Sequence, residues 1–155
     1  RLLSRGLGDV YKRQVLGGRT RIATLQPVLS SDRQDIPSFK RLFSGGSTSV
    51  RGFQYQKLGP RDLQGDPTGG LSLAEASIEL RFPIYGRLRG VLFSDAGDVQ
   101  LGPFDWNPND LFYSSGLGLR IATPVGPLRV DVARLYNPPN GIGRYAFYFS
   151  VGHTF

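Results

Sequence analysis

The sequence contains no cysteine, no methionine and a single histidine, His153, among its 155 residues. Without cysteine there is no disulfide framework, no thiol nucleophile and no cysteine-ligated zinc, and one histidine argues against other zinc sites. No apolar run of about 18 residues is present, which excludes a transmembrane helix. The G-x-S-x-G serine motif is also missing. We therefore expect no catalytic residues, no metal and no cofactor in this segment.

Hydrophobic residues are scarce at 39%, whereas glycine is abundant with 21 residues. This mixture is poor for a dry globular core and suits a sheet with one apolar face and one polar face. The net charge of +7 is carried mainly by dispersed arginines, which is typical of a solvated surface. A nucleic-acid binder would concentrate its basic residues in one stripe, so we expect no nucleic-acid partner.

Alternation of apolar and polar residues predicts strands from about residue 72 onward. In 73–83 the apolar side chains share one face, and the opposite face carries Glu75, Ser77, Glu79 and Arg81. Similar alternation marks the stretches 113–123, 128–135 and 144–155. The stretch 89–99 is strand-like without indicating which face is wet. A weaker candidate, 19–29, contains Pro27, which limits its end.

The strong candidates have about the length, roughly 9–11 residues, at which a tilted strand crosses a bilayer. Long and short connections alternate, as in outer-membrane barrels: the long ones are 30–71, 100–112 and 136–143, and the short ones are 85–87 and 124–127. Because so few strands cannot close a barrel, we expect an all-β chain of about six antiparallel strands that belongs to a larger transmembrane β-barrel. The rival interpretation is a soluble antiparallel sandwich.

Four motifs occur in a fixed order. The segment 43–62 contains a V/I-R-G-F/Y motif, and 93–99 contains F-x-D-x-G. The stretch GLGLRIATPVGPLRVDVA follows at 116–133, and FSVGHTF ends the sequence. Together they resemble the Omp85 superfamily over residues 19–155. Within that family the resemblance is closest to the TamA branch and next closest to the BamA branch.

The resemblance implies a bacterial outer-membrane barrel preceded by periplasmic POTRA domains, with 15–155 as its C-terminal part. A long loop would fold into the barrel lumen. Residues 1–14 resemble a spurious leader and are left out, and the lack of a signal peptide would fit a piece of a longer protein. The implied partners are the lipid bilayer, client outer-membrane or secreted proteins, and, through POTRA domains, an inner-membrane or periplasmic protein.

The resemblance also implies site residues. The loop motif would be Val50, Arg51, Gly52 and Phe53, and its lumenal partner would be Phe93, Asp95 and Gly97. Arg51 would pair with Asp95, Gly52 would allow unusual dihedral angles, and Phe53 would be an apolar anchor. The alternative is a solvent-exposed loop arginine. The C-terminal strand signal would comprise Phe149, Gly152 and Phe155.

Charged residues on the predicted lumenal faces are Glu79, Arg81, Arg120, Arg129 and Asp131. They are compatible with a polar network or, as the favoured interpretation, with plain solvation of a wet lumen. The implied function is a non-enzymatic factor that assembles or translocates client proteins. The alternatives are a two-partner secretion pore and the barrel anchor of a patatin-like lipase.

Overall fold

The computed structural model describes residues 14–26, 36–124 and 126–151. These residues form one sheet in which the strands follow chain order and every neighbouring pair is antiparallel. The strands are β1 (Val15–Thr24), β2 (Ser72–Tyr85), β3 (Leu88–Gln100), β4 (Phe112–Thr123), β5 (Gly126–Leu135) and β6 (Tyr145–Val151). The prediction of an all-β chain with six antiparallel strands is confirmed. Across the described ranges, no helix has both the length and the apolar character needed to span a membrane.

The strand boundaries agree with the alternation pattern except at β1. This strand begins at Val15 and ends at Thr24, so it lies several residues earlier than the predicted stretch 19–29. Pro27 lies outside the described residues. In the described parts of the long connections, two short 3₁₀ segments occur, Ser38–Lys40 and Pro108–Asp110.

The two faces of the sheet differ in what covers them. We call the face that carries residues 36–71 the loop face and the opposite one the outer face. On the outer face Ile78 and Phe147 are 60% and 76% exposed, whereas Asp131 on the loop face is fully buried. Exposed apolar and buried charged side chains are the reverse of a soluble protein and are typical of a barrel wall that faces lipid. No second sheet covers the outer face within the described residues, so the sandwich interpretation is not supported.

The apolar core lies between the loop and the sheet. The loop is held together by three isolated bridges, which join Leu42 to Gly70, Ser44 to Leu58 and Arg61 to Pro67. Its apolar side chains meet those of the sheet in one cluster made of Val50, Phe53, Leu58, Leu73, Val99 and Leu135. Because these residues come from the loop and from three strands, the cluster fixes the loop against the sheet.

This packing also decides the face of β3 that the pattern left open. Val91, Phe93, Asp95 and Val99 are all buried on the loop face, while Leu92 on the outer face is exposed. Apolar and charged side chains therefore share one face of β3, because the loop covers both kinds. The alternation in sequence could not show this.

Candidate functional site: the arginine loop and its seat on the sheet

Arg51 lies at the centre of the site and is almost wholly buried. Its Nε donates to Oδ2 of Asp95 at 2.7 Å, and its Nη2 donates to Oδ1 at 2.8 Å. The backbone N–H of Arg51 donates to the same carboxylate at 3.1 Å. A guanidinium fork and a carboxylate match in this two-point geometry, which combines strength with directional specificity. The structure thus brings together the two residues that the resemblance paired.

A second carboxylate completes the seat of Arg51. Nη1 of Arg51 donates to Oε2 of Glu79 at 2.8 Å. Ser77 accepts from Nη2 at 3.3 Å and donates to Oδ1 of Asp95 at 2.6 Å. The guanidinium carbon lies 3.5 Å from the ring centroid of Phe93, a cation–π contact that a dehydrated site strengthens. Residues of β2 and β3 therefore surround the guanidinium.

The charge of Arg51 is stabilised by these neighbours. Burial lowers the pKa of the guanidinium, but the hydrogen bonds and charge of Asp95, followed by those of Glu79, outweigh this effect. The pKa therefore lies above its ordinary value. The guanidinium of Arg51 is therefore charged at neutral pH.

The spacing of the two motifs has a steric explanation. Phe93, Asp95 and Gly97 follow one another at every second position, so they point to the same face of β3. A Cβ on Gly97 would lie 2.6 Å from Cγ2 of Val50, so glycine leaves the space that Val50 occupies. Gly52 has a φ of +124°, a value that L side chains avoid.

Phe53 is the apolar anchor of the loop. Its side chain is fully buried and meets the ring of Phe112 edge-on, with the centroids 5.3 Å apart and the planes at 74°. Aromatic pairs favour this edge-to-face arrangement. The four residues of the loop motif therefore have four separate roles: Val50 fills the space above Gly97, Arg51 makes the ion pair, Gly52 makes the turn and Phe53 fills the core.

Replacing Gly97 with alanine is expected to destabilise the seat of the loop by about 1–3 kcal/mol, the usual cost of overpacking. Val50 is buried and branched at Cβ, so it has no room to turn away. The full-length protein in detergent is unfolded with urea, and the folded fraction is followed as the faster-moving band on a gel of unheated samples. The quantity compared is the urea concentration at which half of the protein is unfolded. Gly143→Ala is the matched control, since the nearest atom to its Cβ would be 3.9 Å away. Equal midpoints for Gly97→Ala and the unmodified protein would contradict this account.

A second ion-pair group lies on β4 and β5. Arg120 donates to both oxygens of Asp131, at 2.6 and 3.1 Å, and Nε of Arg129 donates to Oδ2 at 2.5 Å. Nη2 of Arg129 also donates to the carbonyl oxygen of Ser47 in the loop at 2.8 Å. Asp131 therefore holds two arginines, and one of them is tied to the loop.

The favoured sequence interpretation of the lumenal charges, plain solvation, is wrong for most of them. Among the five, only the side chain of Arg81 is largely exposed, at 59%, and even it donates to Glu79 at 2.6 Å. Glu79, Arg120, Arg129 and Asp131 are shielded and paired. The physical reason is that the loop shields this face from water. In place of water, Glu79 and Asp131 are each bound by two guanidinium groups. The alternative of a polar network describes the geometry.

Sequence reasoning missed two parts of the site. Glu75 was placed on the polar face but not singled out, and it accepts hydrogen bonds from Ser44 and Ser49 of the loop. Tyr148 of β6 was not assigned, although its hydroxyl contacts the backbone of the loop motif. One signal was available: Tyr148 is a large aromatic residue between Ala146 and Ser150 on the face predicted to be polar.

Of the C-terminal strand signal, the structure describes one residue, Phe149. Phe149 is exposed on the outer face of β6. Gly152, His153 and Phe155 lie outside the described residues, as does nearly all of the predicted leader 1–14. Within ranges 14–26, 36–124 and 126–151, no group of three or more acidic or histidine side chains is placed to hold a metal ion.

The chain resembles known proteins in both sequence and fold. The sequence model of the Omp85 superfamily domain matches residues 6–155. The outer membrane protein assembly factor BamA of Nitratidesulfovibrio vulgaris is 35% identical over 91% of this chain and 18% of its own length. Outer envelope protein 80 of Arabidopsis thaliana chloroplasts is 35% identical over 70% of this chain and 14% of its own length. A SAM50-like protein of Schizosaccharomyces pombe is 29% identical over 81% of this chain and 29% of its own length.

The fold resembles that of BamA from Haemophilus ducreyi lacking POTRA domains 1–3. The TM-score is 0.61 at 22% identity, over 86% of this chain and 34% of that one. The chain spans between 14% and 29% of the lengths of the three relatives found by sequence. The closer resemblance to the TamA branch stays a prediction. Because the family's own sequence model matches nearly the whole chain, the chain belongs to the Omp85 superfamily.

Proposed function

We propose that this chain is the loop-bearing part of the barrel of a factor that inserts client proteins into the outer membrane. The bacterial outer membrane is its location, as predicted, because the chain is an Omp85 superfamily member with bacterial outer-membrane relatives. The relatives named as assembly factors support the function. The observation that carries the proposal is the burial of Arg51 between Asp95 and Glu79, which fixes the loop on the lumenal side of the sheet.

The geometry suggests how such a part would act. The outer face presents many exposed apolar side chains to lipid, including Leu117, Leu119 and Phe149. Among the described strands, β6 is bonded along one edge, to β5. In a complete barrel, an edge of β6 that opened would offer N–H and C=O groups to an incoming strand. The loop would then hold the wall in shape while a client pairs with that edge, and no covalent step is needed.

The finer assignments are part of the proposal. Clients would be other barrel proteins or secreted proteins, and an inner-membrane or periplasmic partner would act through POTRA domains. No contact among the described residues favours a secretion pore or the anchor of a lipase. An insertion factor should raise the rate at which a client enters the membrane. A secretion pore should instead pass the client across the membrane, so the two functions can be distinguished.

Arg51→Ala is expected to slow client insertion about tenfold, which corresponds to roughly 1.4 kcal/mol in the barrier. The reason is that the freed loop no longer braces β2 and β3. The full-length protein is reconstituted in liposomes, a urea-denatured barrel protein is added, and folded client is followed by its heat-modifiable gel mobility.

Arg144→Ala is the matched control, because Arg144 is an exposed arginine in the connection before β6. It should insert clients at the unmodified rate. The proposed function would be overturned if the client folds no faster in liposomes that contain the unmodified protein than in empty liposomes.

A further inference from the structure

The hydroxyl of Tyr148 makes two hydrogen bonds to the loop motif. It accepts from the backbone N–H of Gly52 at 2.9 Å and donates to the carbonyl oxygen of Phe53 at 2.6 Å. Both of these loop residues are buried. A phenol hydroxyl has one proton to donate, and here it is given to the loop. If the hydroxyl were removed, a buried donor and a buried acceptor would lose their partner, which is costlier than losing an exposed bond.

The side chain of Tyr148 is held firmly between β6 and the loop. Its ring packs against a buried cluster of Val91, Phe93 and Ala133, so the hydroxyl is held by β3 and β5 as well as by its own strand. Its neighbours on the same face of β6, Ala146 and Ser150, have much shorter side chains. Among the described residues, the side-chain hydrogen bonds between β6 and the loop all pass through this hydroxyl.

The other anchors of the motif lie on different strands. Arg51 is held by Asp95 of β3 and by Glu79 of β2. The loop also receives a bond from Arg129 of β5, at the carbonyl oxygen of Ser47. Gly52 directly follows Arg51 and precedes Phe53, so a displacement of the Tyr148 hydroxyl acts on the residue next to the buried ion pair. The loop is therefore bonded to β6 as well as to β2 and β3.

We propose that Tyr148 is a positioning residue that couples β6 to the arginine loop. Movement of β6 away from β5 pulls the hydroxyl from Gly52 and Phe53 and weakens the hold of the sheet on Arg51. Conversely, a seated loop holds β6 in place. The inference rests on the proposed function, since it names the contact through which the client-pairing strand and the loop would communicate.

The test measures amide hydrogen exchange of residues 44–58 in the full-length protein in lipid nanodiscs. Tyr148→Phe keeps the ring and removes the hydroxyl, and exchange in the loop should rise by about 5–30-fold. Tyr145→Phe is the matched control, because Tyr145 is an exposed residue of the same strand. It should leave exchange in the loop unchanged.

A second experiment tests whether Tyr148 couples movement of β6 to the loop or only supports the loop. Val132 and Phe147 are partners in register on the outer faces of β5 and β6, and a disulfide between cysteines at these two positions locks the strands at a separation that disulfides tolerate. The lock should slow loop exchange when Tyr148 is present and have no effect on Tyr148→Phe. The reduced cysteine pair is the control.

Two results would overturn the coupling. One is a lock that slows loop exchange equally with and without the hydroxyl, which is what a merely structural role gives. The other is a lock that leaves the loop of the otherwise unmodified protein unaffected, and this outcome stands even if Tyr148→Phe fails to fold. Neither arm uses a client, so failure of the insertion assay and failure of the coupling are told apart.

Discussion

Replacing Asp95 with alanine is expected to release the arginine loop from the sheet. The side chains of Arg51 and Asp95 are 4% and 0% exposed, so the variant leaves a buried guanidinium without its two-point partner. Breaking such a pair costs about 3–5 kcal/mol. Because Glu79 still binds Nη1 of Arg51, we expect a value near the lower end. Amide exchange of residues 44–58 in the full-length protein should then accelerate about a hundredfold, at 1.4 kcal/mol per factor of ten.

Asp66→Ala is the control for this experiment, since Asp66 is an exposed carboxylate of the same loop. It should leave exchange around Arg51 unchanged, because the hydrogen bonds of Asp66 are made by its backbone, which alanine keeps. Glu79→Gln should give a smaller effect than Asp95→Ala, because Glu79 is less buried and is shared with Arg81. If Asp95→Ala leaves the protection of the loop intact, the buried ion pair is not what holds it.

Phe53→Ala should destabilise the protein by a similar amount through a different mechanism. Phe53 has no exposed surface, and it packs with Val50, Leu58 and Leu135 between the loop and the sheet. Removing a buried phenylalanine ring loses its burial and leaves a cavity, which costs about 3–5 kcal/mol. The urea midpoint of the full-length protein in detergent should fall accordingly, and the loop should exchange faster.

Phe39→Ala removes the same ring from a position that is 81% exposed, so it should leave the midpoint nearly unchanged. If the two variants lower the midpoint equally, the cluster beneath the loop does not contribute to stability. Loss of loop protection at an unchanged midpoint would show instead that the loop opens without unfolding of the barrel wall.

The sequence allowed the strands and most of their faces to be predicted. Along most of β2, β4 and β5 the apolar and polar residues alternate, because one face meets lipid and the other meets polar surroundings. The exceptions are Leu73 of β2 and Leu135 of β5, which lie in the core beneath the loop. The pattern failed at β3, where Phe93 and Asp95 share the loop face. A face covered by a folded loop takes apolar and charged residues side by side, so period-two reasoning has no signal there.

The site was accessible from the sequence only through the family motifs. Arg51 and Asp95 are 44 residues apart in the chain, and no periodicity links them. Tyr148 and Glu75 escaped notice for a related reason. Tyr148 binds backbone atoms and Glu75 binds two serine hydroxyls, and residues of these kinds occur throughout any loop. Which of them lies opposite a given strand depends on the path of the loop.

The hydrogen bonds that Arg129 and Tyr148 make to the backbone of the loop have a consequence for the order of folding. They span 82 to 96 residues of chain, and the loop precedes in sequence every strand that binds it there. Contacts of such high contact order form late, because the entropy of closing the intervening chain comes first. The bonds of the loop to β5 and β6 are thus expected to form after its ion pair with β3 and β2, whose carboxylates lie only 44 and 28 residues from Arg51.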